Sequence, residues 1–129
     1  MRAGPFVRAG PLEAPLSRLE ILDGKTWSDL VAAPKGVLVL GKSDCDACKA
    51  WSAELEGLLD DGGRWPEVRF GKLLLDHAGL VSFKRANPWV AELEVLPMNV
   101  IYREGQKVGE FAGGGGERLA ARIERLLGS

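Results

Sequence analysis

Val37-Leu38-Val39-Leu40 is a short run with no polar side chain, and half of it is β-branched. A strand built from it has no face to offer water, so it must be covered on both sides. Such a strand belongs in the middle of a sheet that carries helices on its two faces.

The rest of the chain supplies candidates for those layers. Leu19, Ile21 and Leu22 suggest a first strand near 17–22, closed by an Asp23-Gly24 turn. Thr26 is placed to cap a short helix with Trp27, Leu30 and Val31 on its apolar side, ended by Pro34-Lys35-Gly36. After the apolar run, Ser43 or Asp44 can cap a helix over 45–59. Its apolar stripe is Cys48, Trp51, Leu55, Leu58 and Leu59. A strand follows over 68–75, then helical sequence over 80–93 interrupted near Asn87-Pro88. Strands at 98–102 and 107–111 form a hairpin around Gly105. Four glycines at 113–116 lead into a closing helix over 117–127. The order β-α-β-α-β-α-β-β-α predicts an α/β fold, a mixed central sheet flanked by helices on both faces. Residues 1–16, rich in glycine and proline, read as a loosely ordered arm ahead of one domain over 17–129.

Composition narrows the function. The net charge is −1, and basic residues are interspersed with acidic ones. No electrostatic footprint for nucleic acid or an anionic membrane is present. No stretch approaches the roughly 20 apolar residues that span a bilayer. The first residues lack the apolar run of a secretory signal, so the cytoplasm is the expected location. A monomer is the expected state. The cytosol keeps thiols reduced, and a cysteine pair there serves catalysis or metal binding rather than stapling.

The only two cysteines stand in Cys45-Asp46-Ala47-Cys48, directly after the buried run and at the start of a helix. A helix N-terminus offers free N–H groups and partial positive charge, which stabilise a thiolate, the nucleophilic form. Cys48, one turn further in, lies on the same side as Cys45. Cys45 is then the attacking thiol and Cys48 the resolving one. The metal alternative needs two more ligands, and His77 is the only histidine. A site of Cys45, Cys48, His77 and a carboxylate, or a cluster shared by two subunits, is the less favoured reading; no metal is expected. Asp44 and Asp46 would raise the thiol pKa, while Lys42, Lys49 and the helix end would lower it. Acidic flanks destabilise the thiolate and favour a reducing pair. The plainer reading makes Asp44 a helix cap and Asp46 a first-turn acid.

At this point the sequence resembles the thioredoxin family over about residues 17–127. Residues 37–49 look like that family's central strand and active-site turn. Glu94-Val95-Leu96-Pro97-Met98 looks like the segment with its cis-proline, which packs opposite the disulfide. The resemblance implies that Leu96 and Pro97 present the substrate and that Gly113 lets it approach. It also implies that Lys72, in Gly71-Lys72-Leu73, is the strand lysine near the buried end of the site. Lys72 could equally snorkel from a strand end. No bound cofactor is implied beyond the redox-active disulfide itself. The implied partners are disulfide-containing proteins and an electron-donating reductase or small thiol.

The departures are specific. The family's Cys-Gly-Pro-Cys is Cys-Asp-Ala-Cys, its preceding tryptophan is Asp44, and its buried strand aspartate is Val39. Asp76 or Glu54 could relay protons in place of that acid. Ala53 stands for the helix proline, and the stretch from Asp76 to Pro97 is several residues longer than in a minimal thioredoxin. Trp27 and Trp51 read as core; Trp65 and Trp89, each beside a proline, read as packing over the sheet rather than lining a partner groove. Three functions are compatible: a thiol–disulfide oxidoreductase that reduces proteins, a redox-responsive binding module, and a structural relative with an inert disulfide. The first is preferred.

Overall fold

Val37, Leu38, Val39 and Leu40 are each at most 1 % exposed. Their strand lies at the centre of a five-stranded sheet. The computed structural model describes residues 17–60 and 63–128, and the expected arm over 1–16 lies outside them. Its elements are β1 (Leu19–Ile21), α1 (Trp27–Ala32), β2 (Lys35–Gly41), α2 (Asp46–Asp60), β3 (Arg69–Leu74) and α3 (Val81–Ala86). A 3-10 turn (Pro88–Glu92), β4 (Met98–Arg103), β5 (Gln106–Ala112) and α4 (Gly116–Leu127) follow. β1 and β2 flank β3 in parallel; β4 runs antiparallel to β2, and β5 antiparallel to β4.

Side-chain alternation along β2 divides the core in two. Val37 and Val39 face Trp51 and Leu55 of α2, Leu119 and Ile123 of α4, and Phe70 and Ile101 of the neighbouring strands. Leu38 and Leu40 face Leu30 of α1, Phe83 of α3, Val90 of the 3-10 turn, and Val100 and Tyr102 of β4. Helices therefore cover both faces, as the apolar run requires. Pro88 begins the 3-10 turn at the expected interruption, because proline has no N–H to continue α3.

Two expected caps are not made. Thr26 gives α1 no side-chain cap. Its hydroxyl is engaged with Asp23, whose carboxylate also accepts the N–H groups of Lys25 and Thr26 at 2.8 and 3.1 Å. The threonine oxygen in turn accepts the Asp23 N–H at 2.9 Å, so it serves this turn rather than the helix; the bonds to the Asp23 carboxylate hold that carboxyl below its usual range. At α2, Ser43 turns away to Asp76. Sulfur takes the capping position instead: the Cys48 N–H donates to Cys45 Sγ at 3.1 Å.

The tryptophans divide as their surroundings dictate. Trp51 is buried, and half-buried Trp27 meets Phe83 edge-on with centroids 5.2 Å apart. Trp65 tilts over Phe70, while Trp89 packs on the α3 side of the core with the Lys107 ammonium 4.0 Å above its ring.

Candidate active site at the start of helix α2

The turn after β2 delivers Cys45 to the head of α2, and the pair is joined as a disulfide with Cα atoms 5.2 Å apart. Cys45 is partly exposed and Cys48 is buried at 4 % exposure. The inner sulfur has a place because β2 ends in Gly41. A Cβ there would lie 3.1 Å from Cys48 Sγ and 3.2 Å from Cys48 Cβ. Gly41 thus lets the helix start rest on the sheet. Its position at the end of the apolar run, seven residues before Cys48, is the sequence signal for this contact.

Strand register fixes what lies beside Cys48. Gly41 pairs with Leu74, and Val39 with Lys72, so these side chains share the face that α2 covers. A cleft of about 220 Å³ opens there, lined by Cys48, Lys42, Lys49, Lys72, Ser43 and Ser52 with Leu74. Lys72 is half-buried. Three lysines and no carboxylate line the cleft, an environment that favours negative charge on the inner sulfur. Asp44 and Asp46 are exposed on the turn and the first helical position.

The proton-relay candidates have other partners. Asp76 accepts the Ser43 N–H at 3.1 Å, and that bond chiefly holds its carboxyl below the usual range. Glu54 accepts the Gly116 N–H at 3.2 Å. His77 Nε2 lies 3.2 Å from the Ser43 hydroxyl. His77 thus belongs to the same loop cluster, and no group of three or more metal-ligating side chains forms among the described residues.

The Leu96–Pro97 peptide is cis, as expected. Pro97 is buried, and its carbonyl accepts the Gly113 N–H at 2.7 Å, which places the two expected substrate residues side by side. Gly113 has φ +84°, a conformation open to glycine. Among the described residues, the Leu96 amide and carbonyl have no hydrogen-bond partner.

Sequence reading missed Asn99. It is 0 % exposed on β4 and stands opposite Val39. Its Nδ2 donates to the carbonyls of Phe111 (3.1 Å) and Gly113 (2.7 Å), and its Oδ1 accepts the Trp51 indole N–H at 2.8 Å. One amide thereby joins α2 to the Gly113 turn. A lone polar residue inside an apolar strand was the signal, since a buried amide must find partners.

No protein-family model matches the sequence, and no curated protein matches it significantly. Solved structures do. Thioredoxin f2 of Chlamydomonas reinhardtii superposes with a TM-score of 0.66 at 23 % identity, over 83 % of this chain and 94 % of that one. Mitochondrial thioredoxin 3 of Saccharomyces cerevisiae, in its oxidised form, gives 0.64 at 23 %, over 84 % and 95 %. The short form of spinach chloroplast thioredoxin f gives 0.67 at 22 %, over 88 % and 97 %. Sheet order, helix layers and these superpositions agree: the chain has the thioredoxin fold.

Proposed function

We propose that this protein is a thiol–disulfide oxidoreductase that reduces disulfides in other proteins. The observation that carries the reading is the Cys45–Cys48 disulfide, its outer member partly exposed at a helix start and its inner member buried. In the reduced form the Cys45 thiolate attacks one sulfur of a substrate disulfide. That bond breaks, a mixed disulfide forms at Cys45, and the departing sulfur takes a proton. The Cys48 thiolate then attacks Cys45 Sγ and releases the second substrate thiol. Two electrons and two protons pass to the substrate, and the protein is left as the disulfide. A reductase or a small thiol restores the dithiol, so no bound cofactor is needed. The reading suits a reducing compartment such as the cytoplasm.

The neighbouring residues take roles in this scheme. Leu96 offers its unpaired backbone groups to the substrate chain beside Pro97 and Gly113. Lys72 supports charge on Cys48 in place of the missing acid at position 39. Asp44 and Asp46 oppose charge on Cys45 and keep the pair reducing.

Acceleration of insulin reduction by dithiothreitol is the direct test. The wild type should accelerate it, and Cys45→Ser should fall to the background rate. Cys48→Ser should accumulate mixed disulfides with substrate proteins. No acceleration by the wild type overturns the catalytic reading. Val39, at a position where an acid would speed resolution, favours one second reading: a redox-responsive module for a dedicated partner. Absent turnover together with a single trapped species in Cys48→Ser would select it. A midpoint potential more oxidising than cytosolic glutathione would contradict the reducing direction.

A further inference from the structure

A second cleft, of about 580 Å³, shares Lys42 with the cleft beside Cys48. Its apolar floor is formed by Leu75, Val90, Leu93 and Leu96, and Lys42 and Lys84 stand among its lining residues. Seven of its ten lining residues, from Lys84 to Leu96, lie within the lengthened stretch between Asp76 and Pro97. The cleft is continuous with the cysteine site at two points. Leu96 is the residue with unpaired backbone groups next to Pro97, and Lys42 lines both this cleft and the one beside Cys48. A chain held at Leu96 with its cysteine at Cys45 therefore continues past this floor.

The lining carries two cations and one anion, a net positive charge. Neither Lys42 nor Lys84 has an ion-pair partner among the described residues. The only acid in the lining is Asp76, whose Oδ1 already accepts from Ser43. An apolar floor beside a net positive charge fits a segment that pairs an apolar side chain with a carboxylate.

We propose that this cleft is a substrate subsite, occupied by the segment of the substrate polypeptide flanking its reacting cysteine. It takes a leucine-like side chain on the floor and an aspartate or glutamate at the lysines. The proposal rests on the oxidoreductase reading and deepens it. Lys84 is a specificity residue here, exposed on α3 and outside the exchange chemistry.

The test compares two disulfide-closed peptides, one with Leu and Glu beside a cysteine and the other with Gly and Lys. The first should show a kcat/KM about tenfold higher, a difference of about 1.4 kcal/mol, expressed mainly in KM. Lys84→Glu should remove most of that preference and leave reduction of hydroxyethyl disulfide unchanged. Higher salt should reduce the preference. Equal kcat/KM for the two peptides, or a preference indifferent to Lys84→Glu, overturns the subsite. A parallel NMR titration uses the oxidised protein and the linear Leu-Glu peptide with serine for cysteine. Amide shifts confined to residues 42, 75–76 and 84–96 support the subsite, and their absence counts against it. If no disulfide is reduced at all, the oxidoreductase reading falls, and the titration still decides the cleft.

Discussion

Asn99 concentrates at one residue what several elements need. Its three hydrogen bonds satisfy two carbonyls of the β5 edge and the indole of the active-site helix, in a place no water reaches. Leucine at this position would leave the Trp51 N–H and both carbonyls without their partner. A buried unsatisfied group costs about 1–3 kcal/mol. Asn99→Leu should therefore lower stability by about 2–4 kcal/mol, read from the urea midpoint. An unchanged midpoint would show that water replaces the amide. Asn99 also sharpens the meaning of Val39. The polar group absent from β2 has a counterpart across the strand pair, but an amide does not titrate at neutral pH and moves no proton. The cysteine pair was legible because motif and setting coincide in sequence. Asn99's role was not, because its partner carbonyls lie 12 and 14 residues away and depend on the pairing of β4 with β5.

At the scale of elements, the decisive contact is α2 on β2. Cys48 can sit against the strand only because position 41 has no side chain. In Gly41→Ala the new methyl would press on Cys48 Sγ and Cβ, and the helix start would have to give by a few tenths of an ångström. Overpacking of this kind costs about 1–3 kcal/mol. The variant should melt earlier than the wild type and reduce insulin several-fold more slowly. Unaltered turnover would mean that the start of α2 yields without moving the sulfurs. Strands and helices were largely legible, because the two-residue alternation of β2 and the stripe of α2 are written in apolar side chains. Caps were less so. Thr26 and Ser43 have suitable hydroxyls, but Asp23 and Asp76 engage them first. That competition depends on side-chain position, and for Ser43 on a partner 33 residues away.

For the whole molecule, alkaline pH acts through Tyr102. Its hydroxyl is buried without a hydrogen-bond partner among the described residues. Burial, with a smaller contribution from the Glu110 charge, pushes its pKa up to about 12. An unfolded tyrosine releases its proton near pH 10. Between those values the unfolded chain binds fewer protons than the folded one, so stability falls as pH rises. Near pH 11 this amounts to about 1 kcal/mol. Tyr102→Phe should lose that much less stability than the wild type between pH 8 and pH 11 in urea titrations. At pH 8 it should be no less stable, since it removes an unpaired hydroxyl. Parallel losses in the two proteins would place the alkaline sensitivity elsewhere.

The cysteines are three positions apart in the chain. A bond across so short a span closes a very small ring, and ring closure restrains an unfolded chain least when the ring is small. The chain-entropy relation gives about 2 kcal/mol for such a ring, against about 5 for a loop of a hundred residues. The strand ladders and both halves of the core lie outside the ring, and nothing in them depends on the bond. Gaining or losing the two electrons of this bond is therefore coupled to folding by only about 2 kcal/mol in this molecule.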